Sequence, residues 1–158
     1  MSFASGSLLF VDSNVLVEDL LLPASAASVV IDLVIQGVYR ITTCQLVIKD
    51  VENVILKKCR NNERNLDTLI NEFHNMQQLT KLIVLPDPTP ELVRATHEKF
   101  IFEMRHKADI HVLAAAIGAN PDVILSGNRE HFNDLVAAAC KIPIFSCVEF
   151  LQTVAASS

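Results

Sequence analysis

Short apolar runs alternate with helix-length segments along this chain, and that alternation constrains its fold more than any other feature. The runs at 8–11 and 82–85 are short enough to be buried strands, and amphipathic segments such as 45–59 stand between them. No two-residue hairpin motif joins one apolar run to the next. Strands separated by helices form crossover connections, so the pattern predicts a mostly parallel sheet with helices on both faces.

The predicted elements cover most of the sequence. Strands are predicted at 8–11, 39–43, 82–85, 122–126 and 143–147, and helices at 25–36, 45–59, 62–79, 90–104, 108–119 and 129–140, with a short helix closing the chain. The segment 108–119 is apolar on nearly every side, which is typical of a buried helix. Together these elements predict a three-layer α/β/α sandwich around about five strands, in a single domain over residues 1–158.

The composition excludes several classes of protein. Apolar residues make up 51% of the 158 residues and charged residues 20%, which is typical of a folded globular chain. No apolar stretch approaches the ~18 residues of a membrane span, and the chain begins without a basic leader, so we expect a cytoplasmic protein that does not associate with membranes. The net charge of −5 argues against indiscriminate nucleic-acid binding, although basic residues are concentrated at 94–107.

Polar residues follow the predicted strands at the points where parallel sheets place their sites. Asp12 closes the first strand, Ser126 closes the fourth, and Asp109 stands at the head of the buried helix. An aspartate after a strand is often a turn or cap residue, and Asp109 could simply serve the amino end of its helix. A parallel sheet would nevertheless bring Asp12 and Asp109 to one edge, where two carboxylates repel unless a cation lies between them. Carboxylate oxygens suit Mg²⁺ or Mn²⁺, and such a site activates water against a phosphodiester.

Four segments, in this order, resemble the signature blocks of the PIN domain family: FVDSNVL at 10–16, IKDVENVI at 48–55, KADIHVLAAA at 107–116 and ILSGNREHF at 124–132. Members of that family are mostly metal-dependent ribonucleases, and many are VapC-type toxins of toxin–antitoxin pairs. The resemblance implies that Asp12 and Asp109 are catalytic metal ligands. It also implies that Asn14 supports Asp12 and that Ser126 supplies a hydroxyl group at the end of the fourth strand.

Two positions depart from the usual pattern of the family. The second acid, commonly Glu, is Asp50 here, and we expect it to be the remaining catalytic metal ligand. Glu52 is the alternative, but it lies about 200° around the helix from Asp50 and cannot share its face. The fourth position, often Asp, is Asn128, which keeps a metal-binding oxygen and loses a charge. Glu130, two residues further on, is a supporting residue that could compensate.

Basic and apolar residues predict the partners. Arg105 and Lys107 lie beside Asp109, and with Arg129 they are candidates for binding RNA phosphates, although exposed charges are often only a solvated surface. The basic residues within 57–64 are weaker candidates for the same role. Three consecutive leucines at 20–22 predict an apolar patch that a partner covers. The resemblance implies a homodimer, and an antitoxin-like protein is a further candidate partner.

The function predicted from these residues is a Mg²⁺- or Mn²⁺-dependent endoribonuclease, the toxin of a toxin–antitoxin pair being one form of it. The alternative is a degenerate PIN-like module that binds RNA or protein without cleavage. A small-molecule phosphatase is disfavoured, because Asp12-Ser13-Asn14 stands where such enzymes need Asp-x-Asp. The five histidines lack the His-x-x-x-His spacing of a zinc helix, so we expect surface or boundary roles for them.

Overall fold

In the computed structural model, which describes residues 2–104 and 106–157, five strands form one parallel sheet. The strands are β1 (Leu8–Val11), β2 (Arg40–Cys44), β3 (Ile83–Leu85), β4 (Val123–Leu125) and β5 (Ile144–Phe145). They lie in the order β3-β2-β1-β4-β5, and every neighbouring pair is parallel. The predicted α/β sandwich with a five-stranded parallel sheet is confirmed.

Eight helices within the described residues complete the sandwich. They are α1 (Ser13–Leu21), α2 (Ala26–Ile35), α3 (Gln45–Arg60), α4 (Leu66–Thr80), α5 (Pro90–Phe100), α6 (Lys107–Ala119), α7 (Asp134–Cys140) and α8 (Cys147–Ala156). Most of them begin at a polar residue whose side-chain oxygen accepts a hydrogen bond from a first-turn N–H, as Thr89 does for α5 and Ser146 for α8. No helix in the described parts of the chain is long and apolar enough to cross a membrane.

β1 is the central strand of the sheet. β2 and β3 are added on one side of it, and β4 and β5 on the other. Leu9 is in register with Ile41 of β2 on one side and with Val123 of β4 on the other. The chain first builds outward through β2 and β3, and then returns to add β4 and β5 on the opposite side. Loops leave the two strands in opposite directions at such a reversal and open a crevice at the carboxyl ends of the strands. Asp12 and Ser126 stand at this crevice.

Burial in the core explains why segments such as β1 and α6 are continuous apolar runs in the sequence. Leu9, Phe10 and Val11 have no exposed surface, because β1 is covered on both faces. Ile110 and Leu113 of α6 are also buried, and this helix contacts β2. The amino end of α6, which carries Asp109, is therefore fixed relative to the sheet.

The sequence does not predict α1, which begins directly after β1. Asp12 starts this helix, because its Oδ1 accepts the N–H of Ser13 at 2.8 Å. The helix has only nine residues, of which Val15 and Leu16 are buried, so its hydrophobic periodicity is weak. Asp12 is thus both the end of a strand and the cap of a helix.

The helix predicted over 129–140 is wrong in its first half. α7 begins at Asp134, because Asn133 caps it by accepting the N–H of Val136 at 3.1 Å. Residues 126–133 form a loop instead, which we call the β4–α7 loop. The helix predicted over 90–104 likewise ends at Phe100. The other predicted elements differ from the observed ones by a few residues at their ends.

Asp19 of α1 makes the stability of this fold depend on pH. The pKa of Asp19 is raised from 3.8 to about 6. Burial is the largest cause, a hydrogen bond from Ser28 opposes it, and the charge of Asp32 adds to it. The folded protein therefore binds this proton more tightly than the unfolded chain, and its free energy of unfolding falls as the pH rises from about 4 through about 6. We expect Asp19→Asn to be more stable than the wild type at pH 8 and to lose that advantage at pH 4. Urea unfolding at both pH values measures the difference, and equal differences at both would contradict this account.

Candidate metal centre

Asp12 and Ser126 meet where the ends of β1 and β4 lie side by side. The hydroxyl of Ser126 donates a hydrogen bond to Asp12 Oδ2 at 2.8 Å, and both residues are buried. The amide of Asn14 also donates to Oδ2, at 3.2 Å. The Asp12 carboxylate is therefore held in one orientation by groups from two strand ends.

Burial is the largest cause of a raised pKa at Asp12. Hydrogen bonds from Ser126, Ser13 and Asn14 lower this pKa, and the negative charge of Asp109 raises it. Among the described residues, no lysine or arginine forms an ion pair with Asp12. A buried carboxylate with hydrogen-bond donors but no paired cation is favourably placed to bind one.

Asn14, in the first turn of α1, joins that helix to the loop that follows β4. Its Oδ1 accepts the N–H of Gly127 at 2.6 Å, and its Nδ2 lies 3.4 Å from the hydroxyl of Ser126. A Cβ atom at Gly127 would lie 3.2 Å from Asn14 Oδ1, so a larger residue there would require the Asn14 side chain to shift slightly. The structure thus brings the predicted supporting residues Asn14 and Ser126 into contact with Asp12.

Asp109 stands in the first turn of α6 and faces the β4–α7 loop. Its Oδ2 lies 2.6 Å from Nδ1 of His131, with both side chains mostly buried. The cap position of α6 belongs to His106, which makes no side-chain capping hydrogen bond. The side chain of Asp109 therefore has a tertiary partner beyond its own helix.

Asp50 is the third carboxylate in this region. It is half-buried on α3, and its pKa is raised by burial first and then by the negative charge of Asp109. Glu52 is exposed and lines a separate shallow depression beside Lys49 and Asp87. Of the two acids left open by the sequence, Asp50 is the one that interacts with Asp109.

The three aspartates suit a divalent cation in kind, but the side chains are not closed around one. Their oxygens are the hard ligands that Mg²⁺ and Mn²⁺ prefer, and the charge of Asp109 raises the pKa of both other acids. Across the described residues, however, no three His, Cys, Asp or Glu side chains are grouped to hold a metal ion. Asp109 contacts His131 instead. Binding an ion with all three aspartates would require a change in side-chain positions.

His131 is the functional candidate that the sequence does not reveal. Its Nδ1 lies near two groups, Asp109 Oδ2 at 2.6 Å and Asn128 Nδ2 at 3.3 Å. One nitrogen cannot donate to the carboxylate and accept from the amide together, so the shorter contact assigns the proton of Nδ1 to the bond with Asp109. The ring of His106 lies against the His131 ring, with centroids 4.5 Å apart. The sequence-based prediction places His131 inside a helix that begins at residue 129. Because the structure has a loop there instead, the contact of His131 with Asp109 could not be foreseen.

The remaining predicted residues have different surroundings. The side-chain amide of Asn128 faces His131, and the backbone N–H of Asn128 donates to the Ser126 hydroxyl at 3.1 Å. Glu130 is exposed, and its backbone carbonyl accepts a hydrogen bond from the side-chain amide of Asn133 at 3.1 Å. Lys107 is exposed at the first position of α6. Arg105 lies outside the described residues.

Arg129 is bound to the protein itself. Its guanidinium contacts Glu149 at 3.1 Å, Asp134 at 2.8 Å and the carbonyl oxygen of Phe132. These contacts join the β4–α7 loop to the starts of α7 and α8. The structure thus gives Arg129 a place in the support of the loop that carries Asn128 and His131.

Comparison with known proteins assigns a family to this geometry. The PIN domain family model matches residues 9–130, which is more than half of the chain and includes Asp12, Asp50 and Asp109. The chain belongs to the PIN domain family. No curated protein sequence matches this chain significantly.

Solved structures of PIN domains share the fold at low sequence identity. VapBC2 from Rickettsia felis, solved with a DNA fragment from its promoter, is 10% identical, with a TM-score of 0.64 over 88% of this chain and 98% of the other. PAE2754 from Pyrobaculum aerophilum is 16% identical, with a TM-score of 0.63 over 96% and 91%. VapC20 from Mycobacterium tuberculosis, a toxin described as cleaving the sarcin–ricin loop, is 13% identical, with a TM-score of 0.55 over 82% and 94%. At these identities the likeness shows the fold alone.

Arg129→Ala should destabilise the protein, because it removes a three-way contact from the β4–α7 loop. We expect the free energy of unfolding to fall by about 1–2 kcal/mol, since charged hydrogen bonds matter but the Asp134 end is exposed to solvent. Lys107→Ala, at an exposed position, should change stability by no more than about 0.5 kcal/mol. Urea unfolding compares the two variants. Equal stability of Arg129→Ala and wild type would show that Arg129 has no structural role.

Asp109→Asn tests whether the three carboxylates interact. Removing the charge of Asp109 should lower the pKa of Asp12 and of Asp50 in the metal-free protein, because that charge raises both. Carbon-13 NMR titration of the side-chain carboxyl groups measures the change. Asp32→Asn on α2 is the matched control and should leave both pKa values where they are. Unchanged titration of Asp12 and Asp50 in Asp109→Asn would mean that the carboxylates do not form one site.

Proposed function

We propose that this protein is a divalent-metal-dependent endoribonuclease that acts on single-stranded or looped RNA. The observation that carries the proposal is a buried Asp12, fixed by Ser126 at the reversal of the sheet and influenced by the charge of Asp109. The interaction of Asp109 with Asp50 adds the third acid. Membership of the PIN domain family supports nuclease chemistry, and the RNA-cleaving toxin VapC20 supports RNA as the substrate.

Each polar residue of the site then has a chemical role. Asp12, Asp50 and Asp109 would hold Mg²⁺ or Mn²⁺, with the side-chain oxygen of Asn128 as a further ligand. The bound ion supplies a Lewis acid that activates water and neutralises charge developing on the phosphodiester. Ser126 and Asn14 orient Asp12, while His131 orients Asp109. Lys107 extends from the start of α6 toward solvent, where it can contact an RNA phosphate.

The second candidate function is RNA or protein binding without cleavage. The specific observation that favours it is the contact between Asp109 and His131, which leaves no closed group of three metal ligands among the described residues. Asn128, in place of an acid, points the same way because it removes one negative charge from the site. The two candidates differ in one measurable respect, which is whether a metal ion starts hydrolysis.

We further propose that the protein is cytoplasmic and that partner proteins cover its apolar surface. Leu22 at the end of α1 is 57% exposed, and Leu20 and Leu21 beside it are half-buried. An exposed apolar patch of this kind is typical of an interface. The partners proposed are a second copy of this chain and an antitoxin-like protein, since the VapC-type toxins that this chain resembles belong to toxin–antitoxin pairs and VapBC2 shares its fold.

Hydrolysis of a single-stranded RNA pool in the presence of Mn²⁺ tests the nuclease proposal. We expect the wild type to cleave the RNA and EDTA to stop it. Asp12→Asn should reduce the rate by about a hundredfold or more, because loss of a metal ligand costs at least as much as loss of its hydrogen-bonded support. Asp67→Asn makes the same chemical change at an exposed position on α4 and should leave the rate unaltered.

The possible results separate the two candidates. RNA binding by the wild type without cleavage under either ion would favour the non-cleaving module. Equal cleavage by the wild type and Asp12→Asn would exclude this carboxylate from the chemistry. Equal losses in Asp12→Asn and Asp67→Asn would mean that the effect is not specific to the site.

A further inference from the structure

A groove between α5 and α6 has no part in the function described so far. Its volume is about 480 Å³, within the range of ligand-binding pockets, and four of its lining residues are apolar: Pro88, Pro90, Val93 and Ile110. We call it the α5–α6 groove. Proline rings and aliphatic side chains offer apolar surface on which a planar, apolar group can pack.

The rest of the lining is basic. Arg94 and Lys107 are exposed side chains, and neither forms an ion pair within residues 2–104 and 106–157. No aspartate or glutamate lines the groove, although the chain has 18 acidic residues against 13 lysines and arginines. Two cations without an ion-pair partner in this part of the chain, in a groove that no acid lines, favour an anionic ligand.

Two imidazoles complete the groove and narrow the choice of ligand. His97 on α5 is exposed, and His111 on α6 is half-buried. Histidine rings and proline faces stack on nucleobases, whereas an inorganic anion would gain nothing from an apolar floor. A ligand with one flat ring and one phosphate can contact both the apolar and the basic residues of the groove.

The groove shares the first turn of α6 with the candidate metal centre but lies on another face of that helix. Lys107 lines the groove and precedes Asp109 by two residues, about 200° around the helix, so the two side chains project in different directions. We propose that the α5–α6 groove binds one nucleotide of single-stranded RNA outside the metal centre, with the base on the apolar residues and the phosphate between Arg94 and Lys107. This inference rests on the proposed ribonuclease function and names the part of the substrate that the carboxylates do not contact.

Fluorescence anisotropy with a labelled oligouridylate tests the groove, in EDTA so that metal-dependent cleavage cannot occur. We expect Arg94→Ala and Lys107→Ala to weaken binding, and each to reduce the slope of log K against log salt by about 0.7, the contribution of one phosphate contact to a single strand. His97→Ala should weaken binding by about fivefold or more with no change of slope, because stacking releases no counterions. Arg40→Ala, at an exposed arginine at the start of β2 that does not line this groove, is the control and should bind like the wild type.

The outcomes distinguish failure of the groove from failure of the ribonuclease proposal. If Arg94→Ala, Lys107→Ala and His97→Ala all bind RNA as the wild type does, the groove proposal is wrong. That result would not affect the proposed metal centre. Absence of RNA binding by the wild type would overturn the ribonuclease proposal itself. If inorganic polyphosphate displaces the labelled oligouridylate as strongly as unlabelled RNA does, the groove does not recognise a base. Light scattering is run in parallel, and loss of a dimer in Arg94→Ala would show that the groove is a contact between two copies.

Discussion

The hydrogen bond from the Ser126 hydroxyl to the Asp12 carboxylate joins the carboxyl ends of β4 and β1, and the rest of the site is arranged around it. The same hydroxyl accepts the N–H of Asn128, which fixes the start of the β4–α7 loop. That loop carries His131 to Asp109, so the position of α6 is coupled to β1 through a continuous series of contacts. A substitution that breaks the first bond should therefore disturb carboxylates that it does not touch.

The electrostatics of the site follow from the same arrangement. Asp12 is buried with three hydrogen-bond donors but without a paired lysine or arginine among the described residues, and the charge of Asp109 raises its pKa. The charge of Asp109 raises the pKa of both Asp12 and Asp50, and protonation or a bound cation relieves such an unfavourable interaction. On the proposed function, a divalent ion relieves that repulsion and must also compete with His131 for Asp109. Breaking the contact between Asp109 and His131 therefore contributes to the free-energy cost of binding the metal ion.

The sequence predicts the sheet well and the loops poorly, for a physical reason. β1 and the middle of α6, residues 112–116, are buried on every side, so their residue types alone indicate where they lie. The crevice residues Asp12 and Ser126 follow from the rule that parallel sheets bind ligands at their carboxyl ends. His131 could not be found in this way, because its role depends on Asn133 ending the loop and capping α7, and Asn is common in loops and caps alike. The α5–α6 groove depends on how two helices pack, which no local pattern specifies.

Paramagnetic broadening of backbone amide NMR signals by Mn²⁺ tests the central claim that the three aspartates form one cation site. At substoichiometric Mn²⁺, the amides of Ser13, Asp50 and Ala108 should broaden first. Those of Gly6 and Gly37, at the amino-end edge of the sheet, should stay sharp. Asp12→Asn should abolish the selective broadening. Broadening that is uniform, that is centred on other acidic residues, or that persists in Asp12→Asn would contradict the account.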